Sequence, residues 1–89
     1  NRVWNAVRRS TIALYPEGAA AAGGDAMPLA SLAPAPDYPK LVEAYGGYGQ
    51  HVEDPAQLRA ALEKAVEHTR GGQQALVSVH VSYPDSAHN

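Results

Sequence analysis

The sequence has 89 residues, a formal net charge of −2 and no cysteine. This length allows at most one small domain, and the absence of cysteine excludes disulfides and cysteine-ligated metals. No apolar run is long enough to cross a membrane and no signal-peptide pattern opens the chain, so we expect a soluble, cytoplasmic protein. Arg2, Arg8 and Arg9 form no basic stripe. We expect them on a solvated helix face, with no nucleic-acid partner.

The first predicted element is a helix over residues 2–14. Val3, Val7 and Leu14 fall near one face of it, while Asn5 is expected to be solvated. A proline and a glycine follow the helix and end it.

Residues 15–36 are predicted to form a long connector without regular structure. A run of alanines and glycines is followed there by three prolines. A loop of this length within a compact domain is usually functional or disordered. Met27, Leu29 and Leu32 are the side chains that would anchor it to a neighbouring surface.

A short helix is predicted over residues 37–45. Asp37 is a good N-cap because its carboxylate can accept free N–H groups of the first turn. Leu41, Val42 and Tyr45 share one face by their spacing. The glycine that follows suits the left-handed conformation of a C-terminal cap.

The rest of the chain predicts strand 50–53, helix 54–70 and strand 75–81. Asp54 is the predicted N-cap of the helix, and Gln57 is placed to complete a capping box. Five apolar residues mark one face of this helix: Leu58, Ala61, Leu62, Ala65 and Val66. The last strand is nearly continuous in apolar character, as in a strand covered on both sides. Strand, helix and strand together predict a right-handed βαβ unit.

These elements predict an α/β fold with a partial parallel sheet. A two-stranded sheet is not independently stable, so further strands are required. The chain starts at Asn1, and its only methionine is Met27. We therefore expect a piece of a longer polypeptide, whose remainder or partner chain completes the sheet.

Few residues predict chemistry by themselves. The four histidines have spacings that match no familiar metal-ligand pattern, and no close carboxylate is expected to join them: His51, His68, His80 and His88. The segment 46–49 lacks the Lys-Ser/Thr of a phosphate loop and follows a helix, which favours a cap and turn. No serine lies in a nucleophile elbow. Of the adjacent acids Glu53 and Asp54, the second is already used as a cap.

Residues 36–49 (PDYPKLVEAYGGYG) resemble the "PDF-x-K-L-A-E-A-Y-G" segment of thiamine-diphosphate-dependent enzymes. Among these, the acetolactate synthase, benzoylformate decarboxylase and pyruvate decarboxylase relatives are the most similar. Residues 52–58 resemble their "V-E-D-P-x-E-L" helix start, and residues 74–81 resemble their closing strand. The resemblance covers residues 1–81 and the order of the segments is that of the family.

The resemblance implies that residues 1–89 are the C-terminal part of one doubly wound thiamine-diphosphate-binding domain. In the family, Gly-Asp-Gly is followed by Asn-Asn, and the aspartate, the second asparagine and a backbone carbonyl bind Mg²⁺. The resemblance implies that Asn1 is that second asparagine and that Val3 is the carbonyl donor. It also implies that Trp4 and Val7 lie near the cofactor. The Gly-Asp-Gly, the first asparagine and the domain whose glutamate activates the cofactor do not occur in this sequence.

The implied parent enzyme makes or breaks a carbon–carbon bond in a 2-oxo acid, and is a dimer or tetramer of identical chains. The 89 residues alone are expected to be inactive. An alternative is a non-catalytic α/β interaction module that completes its sheet against a partner. A third possibility is a small metal protein.

Overall fold

The computed structural model describes residues 1–82, so residues 83–89 of the predicted 1–89 domain lie outside it. The chain forms two compact units, one built from Asn1–Ala35 and the other from Pro36–Val81. The second unit contains the α/β layer that the sequence predicts.

In the first unit, helix α1 spans Asn5–Leu14 and begins later than predicted. The residues before it are extended, and Val3 forms an isolated antiparallel bridge with Ser31. The N–H of Trp4 donates to the carbonyl of Ala30 at 2.8 Å. The carbonyl of Arg2 accepts the N–H of Leu32 at 2.8 Å and Arg2 has φ +60°, so the residues around Arg2 are not helical and the helix starts after Trp4.

The sequence predicts no regular structure in the connector 15–36, and this prediction is wrong. Within Ala21–Ala26 the connector contains two short 3₁₀ turns separated by a kink at Gly24, and it also supplies one partner of the antiparallel bridge. Met27 is 2% exposed and Ala30 is fully buried, so the connector supplies the buried apolar residues of this unit. The other two predicted anchors are exposed: Leu29 and Leu32.

The buried side of α1 differs from the predicted one. Val7 and Leu14 are exposed, whereas Arg8 is buried. The guanidinium of Arg8 lies 3.9 Å from the carboxylate of Asp25 in the connector. An arginine can bury its aliphatic stem while its charged group finds an acidic partner. The prediction of a solvated arginine face is therefore wrong for Arg8.

The second unit follows the predicted order of elements. Its members are helix α2 (Tyr38–Ala44), strand β1 (Tyr48–Val52), a 3₁₀ turn (Pro55–Gln57), helix α3 (Leu58–Arg70) and strand β2 (Ala75–Val79). The two strands pair in parallel, with Tyr48 opposite Ala75 and Val52 opposite Val79. This parallel pair with its crossover helix confirms the α/β fold class.

The helix caps are formed largely as predicted. The Asp37 carboxylate accepts the N–H of Lys40 at 3.3 Å, and that of Asp54 accepts the N–H of Ala56 at 2.9 Å. Gly46, which follows α2, has φ +81°, a conformation that glycine adopts without strain. The capping box is the exception, because the side chain of Gln57 makes no cap hydrogen bond.

The two helices of this unit cover opposite faces of the sheet. A Cβ built on Gly49 would lie 2.5 Å from the carbonyl oxygen of Pro39 in α2. Tyr48, whose side chain points to the other face, stacks on His68 of α3 with ring centroids 4.1 Å apart. Successive strand residues alternate between faces, so α2 lies on the side of Gly49 and α3 on the side of Tyr48.

Two predicted apolar faces are only partly buried. In α2, Leu41 and Tyr45 are exposed. In α3, Ala61 is 1% exposed, but Leu62 and Val66 are 48% and 46% exposed. This partial exposure agrees with the prediction that the layer needs further elements to cover it.

Strand β2 is half-buried over most of its length rather than covered on both sides. Its sheet has two strands within residues 1–82, so β2 has one free edge in this part of the chain. None of the helices described is both long enough and apolar enough to cross a membrane.

Candidate functional site

The residues implied as Mg²⁺ ligands lie together just before α1. Asn1 is exposed, and its Oδ1 accepts the N–H of Val3 at 3.2 Å. Between them Arg2 has φ +60°, the left-handed region that a non-glycine residue seldom adopts. A side-chain oxygen that accepts the N–H two residues on makes an Asx turn. This turn brings the Asn1 carboxamide beside the backbone of Val3.

The donors at this turn are both oxygens. The α-helical hydrogen bonds begin with the N–H of Arg8 donating to the carbonyl of Trp4 at 2.9 Å, so the Val3 carbonyl precedes the helix. The Asn1 amide oxygen can accept a second contact because it has two lone pairs. Carboxamide and carbonyl oxygens are ligands that a hard cation such as Mg²⁺ prefers. The two residues therefore fit the ion that the sequence implies.

Trp4 and Val7, implied as cofactor neighbours, are both exposed, at 58% and 52%. Trp4 directly precedes the first residue of α1 and Val7 lies in its first turn, so both side chains belong to the start of the helix. Their exposure leaves an apolar area open at the start of α1.

Asn5 was missed by the sequence reasoning, which expected it to be solvated. Its side-chain Oδ1 is buried and has no hydrogen-bond partner among residues 1–82. Buried polar atoms are nearly always satisfied by protein, water or a ligand. The sequence feature that could have drawn attention to Asn5 is its position soon after Asn1, in the first turn of the helix.

A second group of polar side chains lies at the carboxyl ends of the two strands. His51, Glu53 and His80 each place a possible ligand atom within 4.8 Å of the other two. The Nε2 atom of His51 is 3.3 Å from Oε1 of Glu53. The prediction that no carboxylate joins the histidines is therefore wrong. Their spacing along the chain hides the cluster, because the parallel register of β1 and β2 creates it.

The remaining histidines differ from that pair. His68 stacks on Tyr48, and its Nδ1 lies 2.6 Å from Oε1 of Gln73. The Gln73 Nε2 donates to the carbonyl of Gly46 at 3.0 Å, so its Oε1 is the acceptor for Nδ1–H of His68. His68 thus links the end of α3 to the turn before β1. His88 lies outside the described residues, as does Ser86.

The glycine-rich segment 46–49 has a structural explanation. Gly46 takes a positive φ, and a Cβ on Gly47 would lie 2.6 Å from Cγ2 of Val42. Gly49 approaches the backbone of Pro39 in the same way. These glycines let α2 pack directly on β1, as expected for a cap and turn rather than a phosphate loop.

A parallel pair of strands with a crossover helix, preceded in the sequence by a further helix, defines a piece of an α/β fold. The family model described as "Thiamine pyrophosphate enzyme, C-terminal TPP binding domain" matches residues 1–79. The chain belongs to this family, whose domain binds thiamine diphosphate. Searches of curated proteins and of solved structures gave no significant match.

Proposed function

We propose that this chain forms the C-terminal part of the cofactor-binding domain of a thiamine-diphosphate enzyme that acts on 2-oxo acids. The observation that carries this proposal is the Asx turn at Asn1, which gathers two oxygen donors immediately before the exposed Trp4. The acetolactate synthase and decarboxylase relatives are the subclass that the segment 36–49 favours.

Each residue at this turn has a distinct role in the proposal. The Asn1 amide oxygen and the Val3 carbonyl hold Mg²⁺, which neutralises the diphosphate of the cofactor. Trp4 and Val7 provide apolar contact beside it and keep water from that side. Thiamine diphosphate supplies an electron sink for the carbon–carbon bond, and the protein supplies binding and orientation.

The proposal requires a partner for the second unit, and its exposed apolar side chains are consistent with one. Leu62 and Val66 lie on α3, and Val79 at the end of β2 is 40% exposed. Apolar side chains at such positions are usually covered in a doubly wound fold. The remainder of a parent polypeptide, assembled as a dimer or tetramer, is the proposed cover.

The metal role of Asn1 is tested by two substitutions in the polypeptide that carries this chain. Asn1→Ala removes the oxygen ligand and should weaken Mg²⁺ affinity at least about tenfold. Asn1→Asp keeps an oxygen and should retain most of the affinity. Trp4 is the only tryptophan of these 89 residues. If the tryptophans in the rest of the polypeptide are replaced, Trp4 fluorescence reports locally on titrations with thiamine diphosphate and Mg²⁺. Equal affinity in wild type and Asn1→Ala would refute the assignment.

The coding sequence upstream of Asn1 distinguishes the proposed enzyme from the alternative, a non-catalytic module. Gly-Asp-Gly followed by Asn-Asn supports the enzyme. A start codon immediately before Asn1 supports the module, which would complete its sheet with another protein.

A further inference from the structure

We propose that His51, Glu53 and His80 form a site for a divalent late first-row transition ion, with Zn²⁺ as the probe. The site is separate from the Asn1 turn in sequence and in ligand type. It does not depend on the proposed function.

The sheet itself places the three side chains on one side. Residues opposite each other in a parallel pair point to the same face, and His51 is opposite Ser78. Glu53 lies two residues after His51, and His80 two after Ser78, so the alternation of strands returns both to that face. The N–H of His80 donates to the carbonyl of Val52 at 2.8 Å, which extends the pairing beyond the end of β2. The strand register therefore brings His51 and His80 to one face, and the ligand-atom distances place Glu53 beside them.

The distances are close to those that a metal requires. A zinc ion with bonds of about 2.0–2.1 Å separates its tetrahedral ligand atoms by roughly 3.3 Å. The His51 and Glu53 ligand atoms are already 3.3 Å apart, and none of the three pairs exceeds 4.8 Å. The rings of His51 and His80 are at 78° to each other, with centroids 6.2 Å apart. Both histidines are exposed, so rotation of their side chains can close the remaining gap.

The ligand set selects the class of ion. Two imidazole nitrogens and one carboxylate suit Zn²⁺, Cu²⁺ or Ni²⁺, whereas Mg²⁺ prefers oxygen ligands throughout. Three protein ligands leave further coordination positions to water. Without an ion, the exposed pair of His51 and Glu53 adds little stability. The carboxyl ends of parallel strands are also where α/β sheets place their ligands.

The test is a calorimetric titration of the full chain with Zn²⁺, in a His88→Ala background that removes the one histidine outside the described residues. We expect saturable binding of one ion per chain, with no comparable binding of Mg²⁺. His51→Ala and His80→Ala should each lower the Zn²⁺ affinity by at least about tenfold. Circular dichroism should show the same secondary structure in all variants.

His68→Gln is the matched control, because it removes a histidine that stacks on Tyr48 outside the cluster. It should leave Zn²⁺ affinity within about twofold, and Zn²⁺ should raise the melting temperature of this variant and of the parent but not of His51→Ala. Absence of saturable Zn²⁺ binding overturns the proposal. An equal loss of affinity in all three histidine variants also overturns it, because the affinity would then follow histidine number rather than the cluster.

Discussion

At Gly49 the backbone of α2 approaches β1 closely. The hypothetical Cβ would lie 2.5 Å from the carbonyl oxygen of Pro39 and 2.8 Å from its Cα. Both neighbours are backbone atoms, so no side-chain rotation can relieve the overlap. A methyl group at position 49 must therefore move the helix away from the strand.

Gly49→Ala should destabilise the chain by about 3 kcal/mol, a magnitude expected when backbone elements are forced apart. Gly71→Ala is the control, since Gly71 has φ −81° and its added Cβ would meet the nearest atom at an ordinary 3.4 Å. It should change stability by no more than about 1 kcal/mol, on the stabilising side. Urea unfolding followed by circular dichroism measures both. Equal midpoints for the two variants would contradict the close packing of α2 on β1.

Single residues were predictable from sequence where the interaction is local. Asp37 and Asp54 act within one helical turn, and both cap as predicted. Arg8 and the cluster of His51 with His80 depend on residues distant in sequence. Spacing along one segment carries no information about such contacts.

The start of α3 shows how far a cap determines an element. The Asp54 carboxylate accepts the N–H of Ala56, and a 3₁₀ turn over Pro55–Gln57 leads into the helix. The Gln57 side chain makes no cap hydrogen bond, so the capping box is not completed. The Asp54 interaction alone therefore caps this end of the helix.

Asp54→Ala should cost about 1 kcal/mol, the usual value for loss of a side-chain N-cap. Gln57→Ala should cost less than about 0.5 kcal/mol, since no cap hydrogen bond is lost. The difference between their thermal midpoints, followed at a helix-sensitive wavelength, is the measurement. A larger loss in Gln57→Ala than in Asp54→Ala would show that the capping box forms in solution.

The elements with strong local patterns were predicted in kind, and their ends differ for identifiable reasons. Strand β1 starts at Tyr48 because its N–H donates to the carbonyl of Gln74 at 2.7 Å, a partner invisible in the local sequence. The two 3₁₀ turns within Ala21–Ala26 lie in an alanine- and glycine-rich segment with no apolar periodicity to reveal them. Boundaries set by tertiary hydrogen bonds are the part that sequence patterns cannot supply.

At the scale of the whole molecule, residues 1–82 contain few fully buried apolar residues. They are divided between the units: Met27 and Ala30 in the first, Val52 and Ala61 in the second. Many larger apolar side chains are exposed, among them Trp4 at 58% and Leu14 at 74%. Fold class was predictable because it follows from element order. Which apolar side chains stay exposed was not predictable, because burial depends on the other elements or chains that cover them.

The proposed function leads to a prediction about activity. The 89-residue chain, supplied with thiamine diphosphate and Mg²⁺, should release no carbon dioxide from pyruvate or benzoylformate above the rate without protein. In the proposed function the Asn1 turn supplies only part of the metal shell, and the glutamate that activates the cofactor comes from a separate domain. The longer polypeptide with Gly-Asp-Gly upstream is the control and should turn over one 2-oxo acid under the same conditions. Turnover by the 89 residues alone would show that they contain a complete active site. It would refute the proposal that the remaining metal ligands and the glutamate lie elsewhere in a longer polypeptide.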